Sequence, residues 1–175
     1  MVQVAVCGPA RCTDDEARAA FDIGRLLAGR GVTVLCGGGS GVMAAVAAGA
    51  RRAGGLVVGV RPGLDAGEAA SHMSVVIATN MGEARNAVLV ASADAIIVVG
   101  GSWGTLSEVA LAMRRARDLP PGALPVVSLG GWRVTTPAGD PVPGVLEASS
   151  PEHTVDLALG PAGQDVSDPL RTAPG

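Results

Sequence analysis

The chain has no lysine and no tyrosine, one phenylalanine and two tryptophans. Without lysine there is no lysine Schiff base, which excludes ordinary pyridoxal phosphate chemistry, and no P-loop, whose lysine reaches the terminal phosphates. The scarcity of aromatics removes any stacking platform for bases. The 13 basic residues, all arginine, are scattered rather than gathered into a stripe, so nucleic acid is not an expected partner. Cys7, Cys12 and Cys36 form no CxxC spacing and read as free thiols of a reducing cytosol. His72 and His153 lie far apart with no acidic or thiol cluster beside them, so no metal site is expected, and no resident cofactor either. Asp94 and frequent glycines interrupt every apolar run before it could span a bilayer. The first residues enter a strand without a signal-peptide pattern, and the expected location is cytoplasmic.

What is present is aliphatic. Apolar residues make up 48% of the 175, and with so few aromatics the core must be Val, Ala, Leu and Ile. That composition suits a parallel sheet buried on both faces beneath Ala-rich helices. The order of patterns is strand Val2–Cys7, a helix capped by Thr13 with Asp14, Asp15 and Glu16 at its positive end, and strand Val32–Cys36. A helix from Ser40 to Ala53 and strand Leu56–Val60 follow, then a loop to Met73 and strand Ser74–Ala78. Next come a helix from Gly82 to Ser92, strand Ala95–Val99, a helix from Trp103 to Arg115 and strand Leu124–Leu129. A turn-rich excursion from Thr135 to Pro143 precedes a last helix, Glu152–Leu159. The expectation is an α/β fold: a Rossmann-like, doubly wound parallel sheet in one domain, residues 1–160, with a disordered tail over 161–175.

Unusual residues collect where strands end. Gly8 follows the first strand, Gly37-Gly38-Gly39-Ser40-Gly41 the second, Arg61 the third and Thr79 to Arg85 the fourth. Gly100-Gly101-Ser102-Trp103-Gly104-Thr105-Leu106-Ser107-Glu108 follows the fifth and opens a helix. The carboxyl edge of an open parallel sheet is where ligands bind. A glycine turn at a helix N-terminus offers backbone N–H groups to an anion, phosphate above all. Gly39, Gly41 and Ala44 fit a dinucleotide fingerprint, but the third strand ends in Arg61 rather than in an acid that could hold a ribose, which argues against NAD.

The two glycine turns, Gly37 to Met43 and Gly104 to Glu108, with Met81-Gly82-Glu83-Ala84-Arg85-Asn86 between them, resemble the Lonely Guy-type proteins. These are cytokinin riboside 5'-monophosphate phosphoribohydrolases, often misnamed lysine decarboxylases, a label the absence of lysine contradicts. The resemblance runs from about Val2 to Leu159 and is nearest a branch that includes molybdenum cofactor carrier proteins. It implies that Arg85 and Glu108, twenty-three residues apart, are the catalytic pair, and that Gly101, Gly104 and Thr105 hold phosphate. Gly8, Gly38, Gly39, Ser40, Gly41, Asn86 and Ser102 complete the expected nucleotide-binding set. The sequence departs from the family motif at Gly100, where the motif has Pro, at Ser102, where it has Gly, at Met81-Gly82-Glu83-Ala84, where the enzymes have a Met-His-Glu segment, and at Asn86, where they have Lys.

Cleaving an N-glycosidic bond builds positive charge on the sugar, which a carboxylate such as Glu108 stabilises. An arginine such as Arg85 orients that carboxylate or binds phosphate through its planar fork. The structural alternatives are an ordinary ion pair for Arg85 and a dipole-stabilised first-turn acid for Glu108. Two functions stand open. One is hydrolysis of a nucleoside 5'-monophosphate to free base and ribose 5-phosphate. The other is binding, without turnover, of a nucleotide or of the phosphorylated pterin of the molybdenum cofactor. A homo-oligomer, a dimer as in the family, is expected because the helices Val42–Ala50 and Ala84–Ala91 carry few charges.

Overall fold

The computed structural model describes residues 1–65 and 72–160. The tail expected over 161–175 and part of the loop expected between Arg61 and Met73 lie outside the described residues. Seven strands form one parallel sheet: β1 Gln3–Cys7, β2 Thr33–Cys36, β3 Val57–Arg61, β4 Val75–Ala78, β5 Ala95–Val99, β6 Val126–Leu129 and β7 Val145–Glu147. Their order across the sheet is β4-β3-β2-β1-β5-β6-β7. The chain starts in the middle, winds outward to β4, then returns to the other side of β1. The switch point therefore falls between β1 and β5, and the crevice beyond their carboxyl ends is the place such a sheet offers a ligand.

Helices α1 Asp14–Gly29, α2 Val42–Arg52 and α5 Pro151–Leu159 pack on one face. Helices α3 Arg85–Ala91 and α4 Trp103–Arg117 pack on the other. Strand alternation sorts the core between the two faces: Val4 and Val6 point to α1, Ala5 and Cys7 to α4. Thr13 caps α1 in a reciprocal box with Glu16, as expected from the sequence. Helices α1 and α2 cross backbone to backbone. A Cβ on Gly49 would overlap the carbonyl of Phe21, and one on Gly24 would lie 2.9 Å from the Ala50 nitrogen.

One element has no counterpart in the sequence reading. Between the turn-rich excursion and the last helix lies β7, an edge strand three residues long and too short to leave a periodic signal. Helix α2 buries Val42, Val46, Ala47 and Ala50 in the packing under it and leaves Met43, Ala44, Ala45 and Ala48 half-buried. Ala87 and Ala91 of α3 remain exposed. On the α3–α4 face, Arg115 of α4 donates from one nitrogen to the carbonyls of Val90 and Ala93, both at 2.6 Å, closing the carboxyl end of α3. No helix among the described residues is long and apolar enough to cross a membrane.

Candidate functional site

The two glycine turns reach the same edge of the sheet, with the end of β1 between them. Gly8 is the hub. A Cβ there would strike Val42 at the start of α2 and lie 2.7 Å from the Val99 carbonyl at the end of β5. Only a glycine lets the three elements converge.

The first turn is tied down by its neighbours. Gly38 and Gly41 have φ of 66° and 62°, backbone that favours glycine. Ser40 donates to the Ala10 carbonyl at 3.0 Å, and the Val42 N–H donates to the Pro9 carbonyl at 3.1 Å. Arg61 reaches across from β3 and donates to the Gly38 carbonyl at 2.6 Å, with a second hold on the Asp65 carbonyl at 3.0 Å. Gly37 and Gly39 lie over the thioether of Met43.

At the second turn Ser102 is extended and caps α4. Its hydroxyl accepts from the Thr105 N–H at 3.2 Å and meets the Thr105 hydroxyl at 2.9 Å. The serine in place of the family's glycine thus occupies one of the donors that a helix N-terminus would otherwise turn toward an anion. The departure at Gly100 has a steric reason. Gly100, at φ 64°, lies against the carboxylate of Glu16, and a Cβ there would be 2.7 Å from its Cδ. Gly101 is covered by the indole of Trp132, whose ring stands edge-on to that of Trp103 with centroids 4.5 Å apart. Trp103 itself is largely exposed.

Arg85 and Glu108 come together between the turns, although one opens α3 and the other lies one turn into α4. Nη1 of Arg85 is 3.8 Å from Oε1 of Glu108, and the side chains are 10% and 8% exposed. That distance is an ion pair without a hydrogen bond. Arg85 Nε and Nη1, and Asn86 Oδ1, are buried with no hydrogen-bond partner among the described residues. The guanidinium lies flat on Gly37, where a Cβ would be 2.5 Å from Nη1. The first glycine turn thus makes room for the arginine. Asn86 donates its amide to the Ser107 hydroxyl at 3.0 Å.

Burial raises the Glu108 carboxyl from 4.5 to about 7, against the opposing pull of Arg85 and of the Cys7 thiol beneath it; Glu83 adds a smaller upward push. Burial, and then the charge of Glu108, push the Cys7 thiol well above its ordinary range. Cys36 is also buried, and its thiol is pushed up to about 11.

The geometry thus joins Gly8, both glycine turns, Arg85, Asn86, Thr105 and Glu108 at one edge. Cys7, Glu16, Arg61 and Trp132 also belong to this neighbourhood. The sequence marked Cys7 as a free thiol and Glu16 as a helix-start charge, and both descriptions hold. Neither residue carries a local signal that it also touches the other end of a distant turn.

The model of the SLOG cluster4 family matches residues 1–120. An uncharacterized protein of Archaeoglobus fulgidus is 40% identical over 134 residues, 77% of this chain and 87% of that protein. A cytokinin riboside 5'-monophosphate phosphoribohydrolase of Mycobacterium tuberculosis is 41% identical over 94 residues, 51% of this chain, and the match spans only half (50%) of that enzyme. Among solved structures, the molybdenum cofactor binding protein from the phototrophic bacterium Rippkaea orientalis is similar with a TM-score of 0.76 and 31% identity, covering 89% of this chain and 94% of that one. The resemblance read from the glycine turns, to phosphoribohydrolases on one side and molybdenum cofactor proteins on the other, is therefore present along the chain and in the fold.

Proposed function

The chain belongs to the SLOG cluster4 family, and from that premise we propose that it binds a nucleoside 5'-monophosphate and hydrolyses its N-glycosidic bond to free base and ribose 5-phosphate. The observation that carries the reading is the Arg85–Glu108 pair, held buried at 3.8 Å beside the start of α4, with two arginine nitrogens unpartnered among the described residues.

In this reading the first turn of α4, at Gly101, Gly104 and Thr105, receives the phosphate. Arg85 turns its free N–H groups to the ligand and holds Glu108 in place. Ionised Glu108 stabilises the oxocarbenium-like sugar as the base departs, or activates the water that replaces it. With a pKa of about 7, the carboxylate is poised between its two forms near neutral pH. Chromatography for free base after incubation with a panel of nucleoside monophosphates tests the proposal. Nucleotide binding without base release from any of them refutes hydrolysis.

A second reading is a carrier that holds the phosphorylated pterin of the molybdenum cofactor as cargo. It is supported by the similarity to the Rippkaea orientalis protein and by Ser102, which already spends an α4 donor on an internal cap. Binding of that cofactor with no base release from any nucleotide favours it. We also propose a homodimer in which the exposed side of α3, Ala87 and Ala91, is covered by the second copy. A monomeric mass by light scattering at micromolar concentration refutes this.

A further inference from the structure

A cavity of about 660 Å³ lies on the α4 face of the sheet, away from Arg85 and Glu108. Its origin is topological. The connection from β6 to β7, residues 130–144, crosses with a bridged loop, Thr135 paired to Pro141, and contains no helix. The strand surface that a crossover helix covers in this type of fold is left instead as a hollow between α4 and the loop. Its volume falls within the range of about 300–1,000 Å³ typical of small-molecule pockets. The walls are aliphatic: Val98, Val109, Met113, Val142 and Val145, with the indole of Trp132 at the rim. The charged groups in the lining are Arg133 and Glu147, which neutralise each other through paired hydrogen bonds of 2.9 and 3.2 Å. A wall without net charge selects an uncharged guest. Gly100, Gly101 and Gly130 line one edge of it.

This hollow faces a different side of α4 from Glu108. At about 100° per helical residue, Val109 is turned about 100° and Met113 about 140° away from Glu108 around α4. The helix itself stands between the two spaces. They meet only at its first turn, where Gly101 and Thr105 line the cavity.

We propose that the cavity is a second binding site, distinct from the space at Glu108 and sharing with the phosphate site only the turn at Gly101 and Thr105, for an uncharged, largely apolar ring compound. Such a guest packs its faces against Val109, Met113 and Val142 and its edge against the glycine backbone, and it abuts the turn that would carry the phosphate.

The probe for a test is N-phenyl-1-naphthylamine, an uncharged fluorophore with a naphthyl and a phenyl group on one nitrogen, which brightens in apolar surroundings. The expected result is saturable binding of one molecule per chain. Ala110→Phe, from the exposed wall of α4, and Val142→Phe, from the loop, each fill the hollow and should weaken the probe by about tenfold or more. Circular dichroism and melting temperature confirm that each variant is folded. AMP should bind alongside the probe, and Ala110→Phe should leave AMP affinity within about threefold of wild type. The probe titrations need no nucleotide, so they stand whether or not the phosphoribohydrolase reading does. Four results overturn the proposal: no saturable probe binding by wild type, unchanged probe affinity in both folded variants, one-for-one displacement of the probe by AMP, or a change of oligomeric mass on Ala110→Phe. The third makes the cavity part of the nucleotide pocket, and the fourth makes it a contact with a second copy.

Discussion

Glu108→Gln separates the role of the charge from the role of the shape. In the native protein the carboxyl rises from 4.5 to about 7, with burial as the main cause. The folded state therefore holds its proton to higher pH than the unfolded chain does. Below pH 4.5 both states are protonated and the residue contributes no pH dependence. Between 4.5 and 7 the unfolded chain ionises first, so stability falls as pH rises, and above 7 the loss is complete. A shift of this size amounts to about 3 kcal/mol, at about 1.4 kcal/mol per unit. Glutamine has nearly the same volume and no charge to desolvate. The variant should be more stable than wild type by only about 1 kcal/mol at pH 5 and by about 3 kcal/mol at pH 8.5, the latter roughly 6–12 °C in melting temperature for a chain of this length. Cys7 and Cys36, both raised by burial, stay neutral across this range and do not blur the comparison. Turnover should fall by about a hundredfold or more, since the charge acts mainly in the transition state. Gain of stability with loss of activity is the signature of a group kept for chemistry. The assays are thermal melts at the two pH values and base release. A variant no more stable than wild type at pH 8.5, or equally stabilised at both pH values, refutes the assignment of Glu108 as a strained buried acid.

Other outcomes follow from the same geometry. If ionised Glu108 is the working form, base release should rise with pH through an apparent pKa near 7, and a flat profile from pH 5.5 to 8.5 counts against it. Arg85→Ala should weaken nucleotide binding by about tenfold or more and reduce turnover further, because the arginine acts on the ground state and the transition state alike; calorimetry with unchanged affinity contradicts its placement at the phosphate. Arg61→Ala removes the 2.6 Å bond to the Gly38 carbonyl and should loosen the first glycine turn, seen as faster amide exchange over residues 37–41 without global unfolding. Gly49→Ala places a methyl on the Phe21 carbonyl and should cost about 2 kcal/mol or more by chemical denaturation.

Much of the fold was legible because local and global signals agree here. Each strand from β1 to β6 is a short aliphatic run, each βα turn carries glycine, and Thr13 with Glu16 announces α1. The Arg85–Glu108 pair was legible only through the resemblance to the Lonely Guy-type proteins, since nothing in a helix reports which distant helix it faces. What stayed hidden depends on side chains meeting from far apart in sequence. Gly100 reads as a turn residue until the carboxylate of Glu16, more than eighty positions away, is found against it. Strand β7 is hidden by its length, and the cavity by the missing helix of its crossover, a gap that no residue encodes.

The bonds from Arg115 to Val90 and Ala93 carry a mechanical consequence. They rivet α3 to α4 at the end remote from the ligand edge, while Arg85 and Glu108 sit at the opposite, open end, like the jaws of tweezers joined at the base. The gap between the jaws is then governed by rotation about the rivet, and sliding of one helix past the other is blocked. A small opening angle at the base becomes a larger change in the spacing of the guanidinium and the carboxylate. Closing the 3.8 Å separation to a hydrogen bond requires a displacement of only about 1 Å at the open end.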